Sequence, residues 1–235
     1  HPVIGKLVGR GLDDELKGAA FAVVDGIDGR THHIHLPSLE ATTDAPMGAI
    51  VELRRFEDAK GRARVALAVR SDFTLEQQIE AQGATWLDRQ AVAKEPPELG
   101  GGFGTEVRDA MRQRVDHLVR EGLAQRAGDH VRFERGLLSM LREREVRAAG
   151  EKFAQQEGRT FDPVVPGDNV AGVYRRRITL ASGRYAMIDN GLGFQLVPWT
   201  PSIEQQLGKA VSGVARDSGS VNWQLGFRKD VGIAM

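Results

Sequence analysis

The sequence predicts an α+β chain: a small N-terminal β-barrel, a helical middle with winged-helix character, and a small C-terminal β-barrel. Three observations predict it. Short apolar/polar alternations separated by Asp/Gly turns fill the first 70 residues, a 3.6-residue period takes over from Thr74, and alternation returns near Val170 around an Asn-Gly turn. The segments expected are 1–71, a five-stranded barrel; 72–104, a helical linker with a Gly-rich hinge; 105–160, a helical, winged-helix-like region; and 161–235, the second barrel.

Residues 3–10, 19–25, 30–36, 48–56 and 62–70 read as the first five strands. The stretches Asp25-Gly26-Ile27-Asp28-Gly29 and Asp58-Ala59-Lys60-Gly61 have the Asp and Gly content of tight hairpins, because glycine reaches positive φ without a Cβ clash. In the third strand His32, Ile34 and Leu36 share one face and Thr31, His33 and His35 the other, so one face is core. Leu75, Ile79, Trp86 and Leu87 fit one or two short helices that the Pro96-Pro97 pair ends. Gly100-Gly101-Gly102 then reads as a hinge. Thr105 can cap a long helix whose Val107, Met111, Val115, Leu118 and Val119 fall within one arc. A turn at Ala127-Gly128-Asp129 between two short extended pieces, and a helix over 136–149, complete a helix–hairpin–helix pattern. Strands at 170–181, 184–189 and 193–199 follow, joined by Ser182-Gly183 and by Asn190-Gly191, a strong hairpin signal. A short helix over 201–209 and strands at 211–216 and 221–227 end the chain.

Composition excludes several classes. The chain has 235 residues, 41% hydrophobic and 27% charged, and no apolar run approaches the roughly 20 residues of a membrane helix. No membrane insertion is expected. Zero cysteines remove disulfides, thiolate zinc sites and a cysteine nucleophile, in keeping with a cytoplasmic location. Lys+Arg 32 against Asp+Glu 32 leaves no chain-wide field for nucleic acid. The charge is unevenly placed, however: residues 71–104 sum to −4, 105–150 to +2 and 167–235 to +3. Any DNA contact must come from local patches. The sequence opens at His1 with no apolar signal segment, which reads as a piece of something longer.

Several runs carry a resemblance. They are Gly83-Ala84-Thr85-Trp86-Leu87-Asp88-Arg89; Gly102-Phe103-Gly104 with Glu106-Val107-Arg108; Tyr174-Arg175-Arg176-Arg177; Thr179-Leu180-Ala181-Ser182-Gly183-Arg184; and Gly191-Leu192-Gly193-Phe194-Gln195-Leu196-Val197-Pro198-Trp199. Together, from Gly5 to about Phe227, they resemble the C-terminal, non-catalytic region, a domain of unknown function, of the relaxase/mobilization nucleases of conjugative plasmids and integrative elements. The resemblance implies a place in DNA mobilization beside an N-terminal domain that nicks DNA at the transfer origin. It carries over no catalytic residue, because the family's tyrosine nucleophile and metal-binding histidines belong to that other domain. The extreme C-terminus departs from the family's basic Gly/Arg/Lys tail: Phe227-Arg228-Lys229-Asp230 is diluted by an acid.

Each candidate site has a plainer structural reading. His33 and His35 point the same way from one strand, but a third ligand is missing from the segment, so they are expected to decorate a sheet surface and not to bind metal. The glycines at 100–104 precede a helix but lack the Lys-Ser/Thr of a P-loop. Asp88 and Arg89 read as a solvated pair at a helix exit. Arg112, Asp116 and Arg120, spaced by four, form a salt-bridged edge that, with Arg126 and Arg132 near the hairpin, can also meet phosphates. In Tyr174-Arg175-Arg176-Arg177, alternation sets Arg175, Arg177 and Thr179 on one face and Tyr174, Arg176, Ile178 and Leu180 on the other. Arg175 and Arg177 with Arg184 across the hairpin then make a basic surface that Phe194, Trp199 or Trp223 can border as base-stacking rings, although such rings more often lie in cores.

The expected function is therefore that of a non-enzymatic accessory region of a conjugative relaxase, without cofactor. It contributes to binding of transfer-origin DNA or to relaxosome assembly. The alternative is a protein-docking module recognised by the type IV secretion and coupling machinery, with no direct DNA contact.

Overall fold

The computed structural model describes residues 3–14, 19–58, 60–128, 130–217 and 219–224. The expectations that rest on Ala59, Asp129 and the tail at 227–230 lie outside the described residues. The chain is mixed α+β and divides into two units: residues 1–142 with 181–183, and residues 143–180 with 184–235. The first three expected segments thus fall largely within one unit.

In the first unit, β1 (Ile4–Asp14), β2 (Ala19–Gly26), β3 (Thr31–Leu36), β4 (Ile50–Glu57) and β5 (Ala63–Ser71) form an antiparallel sheet of order β3-β2-β1-β4-β5. β3 and β5 do not pair with each other among the described residues, so the sheet is open there. Alternation sets the inner face as expected: Ile34 and Leu36 are buried, while Thr31, His33 and His35 are exposed. Leu7, Ala22, Val24, Val51 and Leu67 complete this core. A 3-10 turn, Leu39–Thr42, packs near it. Arg10 fastens the segment after this turn by donating to the carbonyls of Thr43 and Ala45 at 2.6 and 2.9 Å.

A second core joins this sheet to helices. Here Ile27 and Ile50 meet Trp86, Leu87, Phe103, Val107 and Ala110. These come from α2 (Trp86–Ala91) and α3 (Phe103–Arg120), with Leu75 and Ile79 of α1 (Leu75–Ile79) packed alongside. The threonines Thr74 and Thr85 start α1 and α2 with complete capping boxes, each hydroxyl accepting from the third backbone N–H of its helix. α3 begins earlier than expected: Gly102, at φ 51°, occupies the cap and Thr105 sits inside the first turn.

The glycine run is not a free hinge. The Gly100 N–H donates to the Ile27 carbonyl at 2.8 Å. A Cβ on Gly100 would lie 2.3 Å from the Asp28 carbonyl oxygen, and one on Gly104 would lie 2.4 Å from that of Ile27. Glycine is needed because backbone meets backbone, which fixes the α3 N-terminus against the β2–β3 turn.

The largest departure from expectation lies where α1, α2 and α3 meet. Asp88 is not part of a solvated pair. It is fully buried, and Arg114, with about 1% of its side chain exposed, grips it through Nε–Oδ1 at 2.8 Å and Nη2–Oδ2 at 2.9 Å. The rest of the guanidinium donates to the carbonyls of Ile79, Ala81 and Gly83 at 3.2, 2.7 and 3.0 Å. Thr85 in turn donates to Asp88 from its backbone N–H and its hydroxyl. Arg89 points elsewhere and donates to the Ser182 carbonyl at 2.8 Å, while the Ser182 hydroxyl accepts from the Ala84 N–H. Beyond α3, β6 (Ala124–Ala127) and β7 (His130–Phe133) form a hairpin, followed by α4 (Leu137–Glu157). Leu118, Ala124, Leu137 and Leu141 pack with Ala84 in a small core within the unit.

In the second unit, β8 (Thr160–Phe161), β9 (Asn169–Leu180), β10 (Gly183–Asp189), β11 (Gly193–Pro198), β12 (Ala210–Ala215) and β13 (Val221–Trp223) form a sheet of order β13-β12-β9-β10-β11-β8. The two-residue β8 pairs in parallel with β11. No closure of this sheet occurs among the described residues. The last strand is shorter than expected, and the part of it beyond residue 224 is outside the described residues. Gly191 takes φ 89°, and the Asn190 side chain accepts from the Leu192 and Gly193 N–H groups, so the Asn-Gly turn is formed as expected. One core holds Val170, Tyr174, Ala186, Ile188, Val197 and Ile203 of α5 (Pro201–Glu204). The other sets Ile178, Tyr185, Met187, Phe194 and Leu196 against Val146, Ala149 and Phe153 of α4. Among the described residues no helix is long and apolar enough to cross a membrane.

Removing one partner from the Arg114–Asp88 pair leaves a buried ion without its counter-charge. Arg114→Met should destabilise the chain by about 3–5 kcal/mol in denaturant titration. Adding Asp88→Leu to it should cost less than the two single changes summed. Strict additivity would show that the pair is not coupled.

Candidate nucleic-acid interface

The expected basic residues fall into two groups, one in each unit. In the first unit Arg112, Arg120, Arg126 and Arg132 are all exposed. Arg112 is ion-paired with Asp109 and Arg126 with Asp116, so Asp116 is engaged from the hairpin and not from its own helix. Among the described residues Arg120 and Arg132 have no carboxylate partner. The four guanidinia are thus present on α3 and the hairpin, but two are locally neutralised.

The second unit draws its cationic residues closer. Arg177 of β9 and Arg184 of β10 both lie over the Trp199 ring, with Cζ 5.3 and 5.4 Å from its centroid. The edge of that indole is anchored: Trp199 Nε1 donates to Glu204 Oε2 at 2.5 Å, and the Tyr174 hydroxyl donates to the same oxygen at 2.9 Å. Burial pushes the Tyr174 phenol up to about 12, and the Glu204 carboxylate beside it adds to the shift. Trp199 is half-buried, packed at the border of the Tyr174 core, so part of its surface remains open.

Arg175 takes another course. Its Nε donates to Asp189 Oδ2 at 3.0 Å, while Arg159 grips the same carboxylate through both terminal nitrogens at 2.7 and 2.6 Å. The expected trio of Arg175, Arg177 and Arg184 is therefore a pair on Trp199 plus a neighbour tied to Asp189. The alternation assumed for this strand also fails. Tyr174 joins one core and Ile178 the other, and Arg175 and Arg176 are exposed in succession between them. Arg176 lies at the exposed edge of the Ile178 core, over Phe153 and paired with Glu157, because a fully buried position would leave its charge without water or partner.

One of the three candidate stacking rings is corrected by its surroundings. Phe194 has no exposed surface and packs on Phe161 at 5.6 Å between centroids, leaving no face for a base. Trp223 is half-buried against the Tyr174 core, with its indole N–H buried and without a hydrogen-bond partner among the described residues. Of the three, Trp199 is the one with guanidinia over it among the described residues.

His33 and His35 behave as surface residues. His33 stacks on Phe21 at 5.1 Å with planes 13° apart, and His35 meets His33 edge-on at 5.0 Å. Among the described residues no group of three His, Cys, Asp or Glu has metal-binding geometry. Sequence reasoning missed Arg114, Arg159 and Glu204. The Pro201 start of α5 placed Glu204 in a helix, but its two donors lie five and thirty residues away, beyond any local pattern.

Asp189 offers a test in acid. The Arg159 guanidinium, followed by the Gly191 N–H and Arg175, holds its carboxyl well below the usual carboxylate range. As pH falls the unfolded chain therefore takes up the proton first. The stabilisation is complete above the unfolded value near ~4 and is lost progressively below it. The stability gap between the parent and Asp189→Asn should be widest above pH ~5 and narrow toward pH ~2. A gap that stays constant across that range would contradict the ion-paired carboxylate.

No curated protein matches the chain. The family described as "Protein of unknown function (DUF3363)" matches residues 1–63 and 53–232, nearly the whole sequence. On that coverage, the chain belongs to the DUF3363 family.

Proposed function

We propose that this chain is a non-enzymatic accessory module of a conjugative relaxase that contributes to binding of transfer-origin DNA or to relaxosome assembly in the cytoplasm. The barrel-like reading of the two sheets and the winged-helix reading of α3, the β6–β7 hairpin and α4 belong to the same proposal. The observation that carries the DNA reading is the placement of Arg177 and Arg184 over the half-buried Trp199. A guanidinium stacked on an aromatic face keeps its fork of N–H donors oriented, and phosphate oxygens fit such a fork. Arg120 and Arg132 of the first unit supply a second exposed set.

The non-enzymatic reading is supported by the two tyrosines. Tyr174 is buried and donates to Glu204, and Tyr185 has about 4% of its surface exposed. A tyrosine transesterase needs an exposed phenol beside an ion that polarises the phosphate. The docking alternative is favoured by an open groove of mixed polarity in the first unit, lined by Ala91, Val92, Val131, Phe133, Leu137 and Leu138 together with Glu134 and Ser139. It predicts association that tolerates salt.

With DNA the affinity should fall steeply with salt, and Arg177→Ala/Arg184→Ala should reduce the slope by roughly 0.9 for each phosphate that is no longer neutralised. Arg112→Ala, whose guanidinium already serves Asp109, should change little. Fluorescence anisotropy across a salt series measures both, and no binding by the parent at low salt would turn the assignment to docking. Supplied with magnesium or manganese, the chain should leave supercoiled plasmid bearing a transfer origin intact. Metal-dependent nicking that copurifies with it would contradict the non-enzymatic reading.

A further inference from the structure

One turn along α3 from Arg114, His117 is half-buried, and its Nε2 is enclosed without a hydrogen-bond partner among the described residues. The same turn of α3 meets α1 at the corner that Arg114 and Asp88 hold together. We propose that His117 makes this corner acid-sensitive: proton uptake favours release of the ring to water and loosens the contact between α1 and the end of α3. The behaviour belongs to the fold of the first unit and needs no DNA.

A neutral imidazole carries one N–H and one bare lone pair, so an enclosed Nε2 can be the unprotonated nitrogen and forfeit only an acceptor interaction. Protonation puts an N–H on both nitrogens and a positive charge on the ring. The enclosed Nε2–H would then be a charged donor with nothing to receive it, which costs more than a neutral group left unsatisfied. Acceptors at the corner are already engaged, since Arg114 donates to the carbonyls of Ile79 and Ala81 and to both oxygens of Asp88. Burial, followed by the Arg114 guanidinium, holds the imidazole below the ordinary histidine range, and Arg120 adds to the effect. Glu121 at the C-cap of α3 and Glu80 at the C-cap of α1 pull the other way. Both carboxylates are exposed and screened by water, whereas Arg114 is buried and fixed. Once released, the ring regains the ordinary proton affinity of a histidine, near ~6.5. The open arrangement thus binds protons more tightly than the closed one. Closure is fully favoured above that value and loses ground as pH falls below it. Release is local, because His117 lies in the last turn of α3, where its carbonyl receives the Glu121 N–H at 3.0 Å.

The test follows the whole chain from pH ~7.5 to ~5.5, across the histidine range and above the carboxylate range. Amide exchange, corrected for the intrinsic effect of pH, should show protection in α1 and in the last turn of α3 falling over that interval in the parent, while the strands of the first sheet keep theirs. His117→Leu and His117→Gln, neither of which titrates, should lose that pH dependence. Imidazole resonances should place one of the six histidines, the one missing from both variants, at a midpoint below ~6.5. Protection that does not change with pH in the parent would overturn the proposal. So would an equal fall in the parent and the variants, or a His117 midpoint at or above ~6.5. Because the parent's own exchange already decides the first of these outcomes, the test stands even if a variant fails to fold.

Discussion

An arginine buried to about 1% exposure needs a counter-charge and a partner for nearly every N–H, and Arg114 finds all of them within one corner of the first unit. Asp88 of α2 supplies the charge, and three carbonyls from the α1–α2 connection receive the remaining hydrogens. The pair thereby dictates how α1, α2 and α3 meet, and with them the core that covers Ile27 and Ile50 of the sheet. The Thr85 capping box belongs to the same device, because Asp88 serves as both cap partner and counter-ion. Apolar residues of similar volume could fill this space. They would not specify the path of the carbonyls at Ile79, Ala81 and Gly83.

The same constraint sorts the remaining arginines. A guanidinium beside a carboxylate is occupied, and this chain with its even balance of charge places many such pairs: Arg112 with Asp109, Arg126 with Asp116, Arg176 with Glu157, and Arg159 and Arg175 on Asp189. Arg177 and Arg184 both lie over the Trp199 ring. Net charge per segment therefore says little about where a polyanion would settle. What matters is where each cation is placed in the fold.

Much of the fold was legible in local pattern. The strands β2, β3, β10 and β11, the Asn190-Gly191 turn and the long helix α3 follow from alternation, turn chemistry and helical period, which need only neighbouring residues. What was not legible depended on partners distant in sequence. Arg114 lies within the stripe formed by Phe103, Val107, Ala110 and Leu118, but a charge there reads as solvent-facing until Asp88, 26 residues away, is placed beside it. The glycine run reads as a hinge because the backbone of residues 27 and 28 against it is invisible to local reasoning. In β9 strict alternation fails between Tyr174 and Ile178, since a strand that serves two cores must change the face it offers. At the candidate interface the arginines were named from sequence, and Trp199 with them, but Glu204, which anchors the ring, was not.

The proposed interface is most directly tested by amide hydrogen exchange of the whole chain with and without a single-stranded oligonucleotide. The account predicts added protection centred on residues 174–180, 184–186 and 197–204, where Arg177, Arg184, Trp199 and Glu204 reside. Protection confined to α3 and the β6–β7 hairpin, or no change anywhere in the presence of bound oligonucleotide, would contradict it.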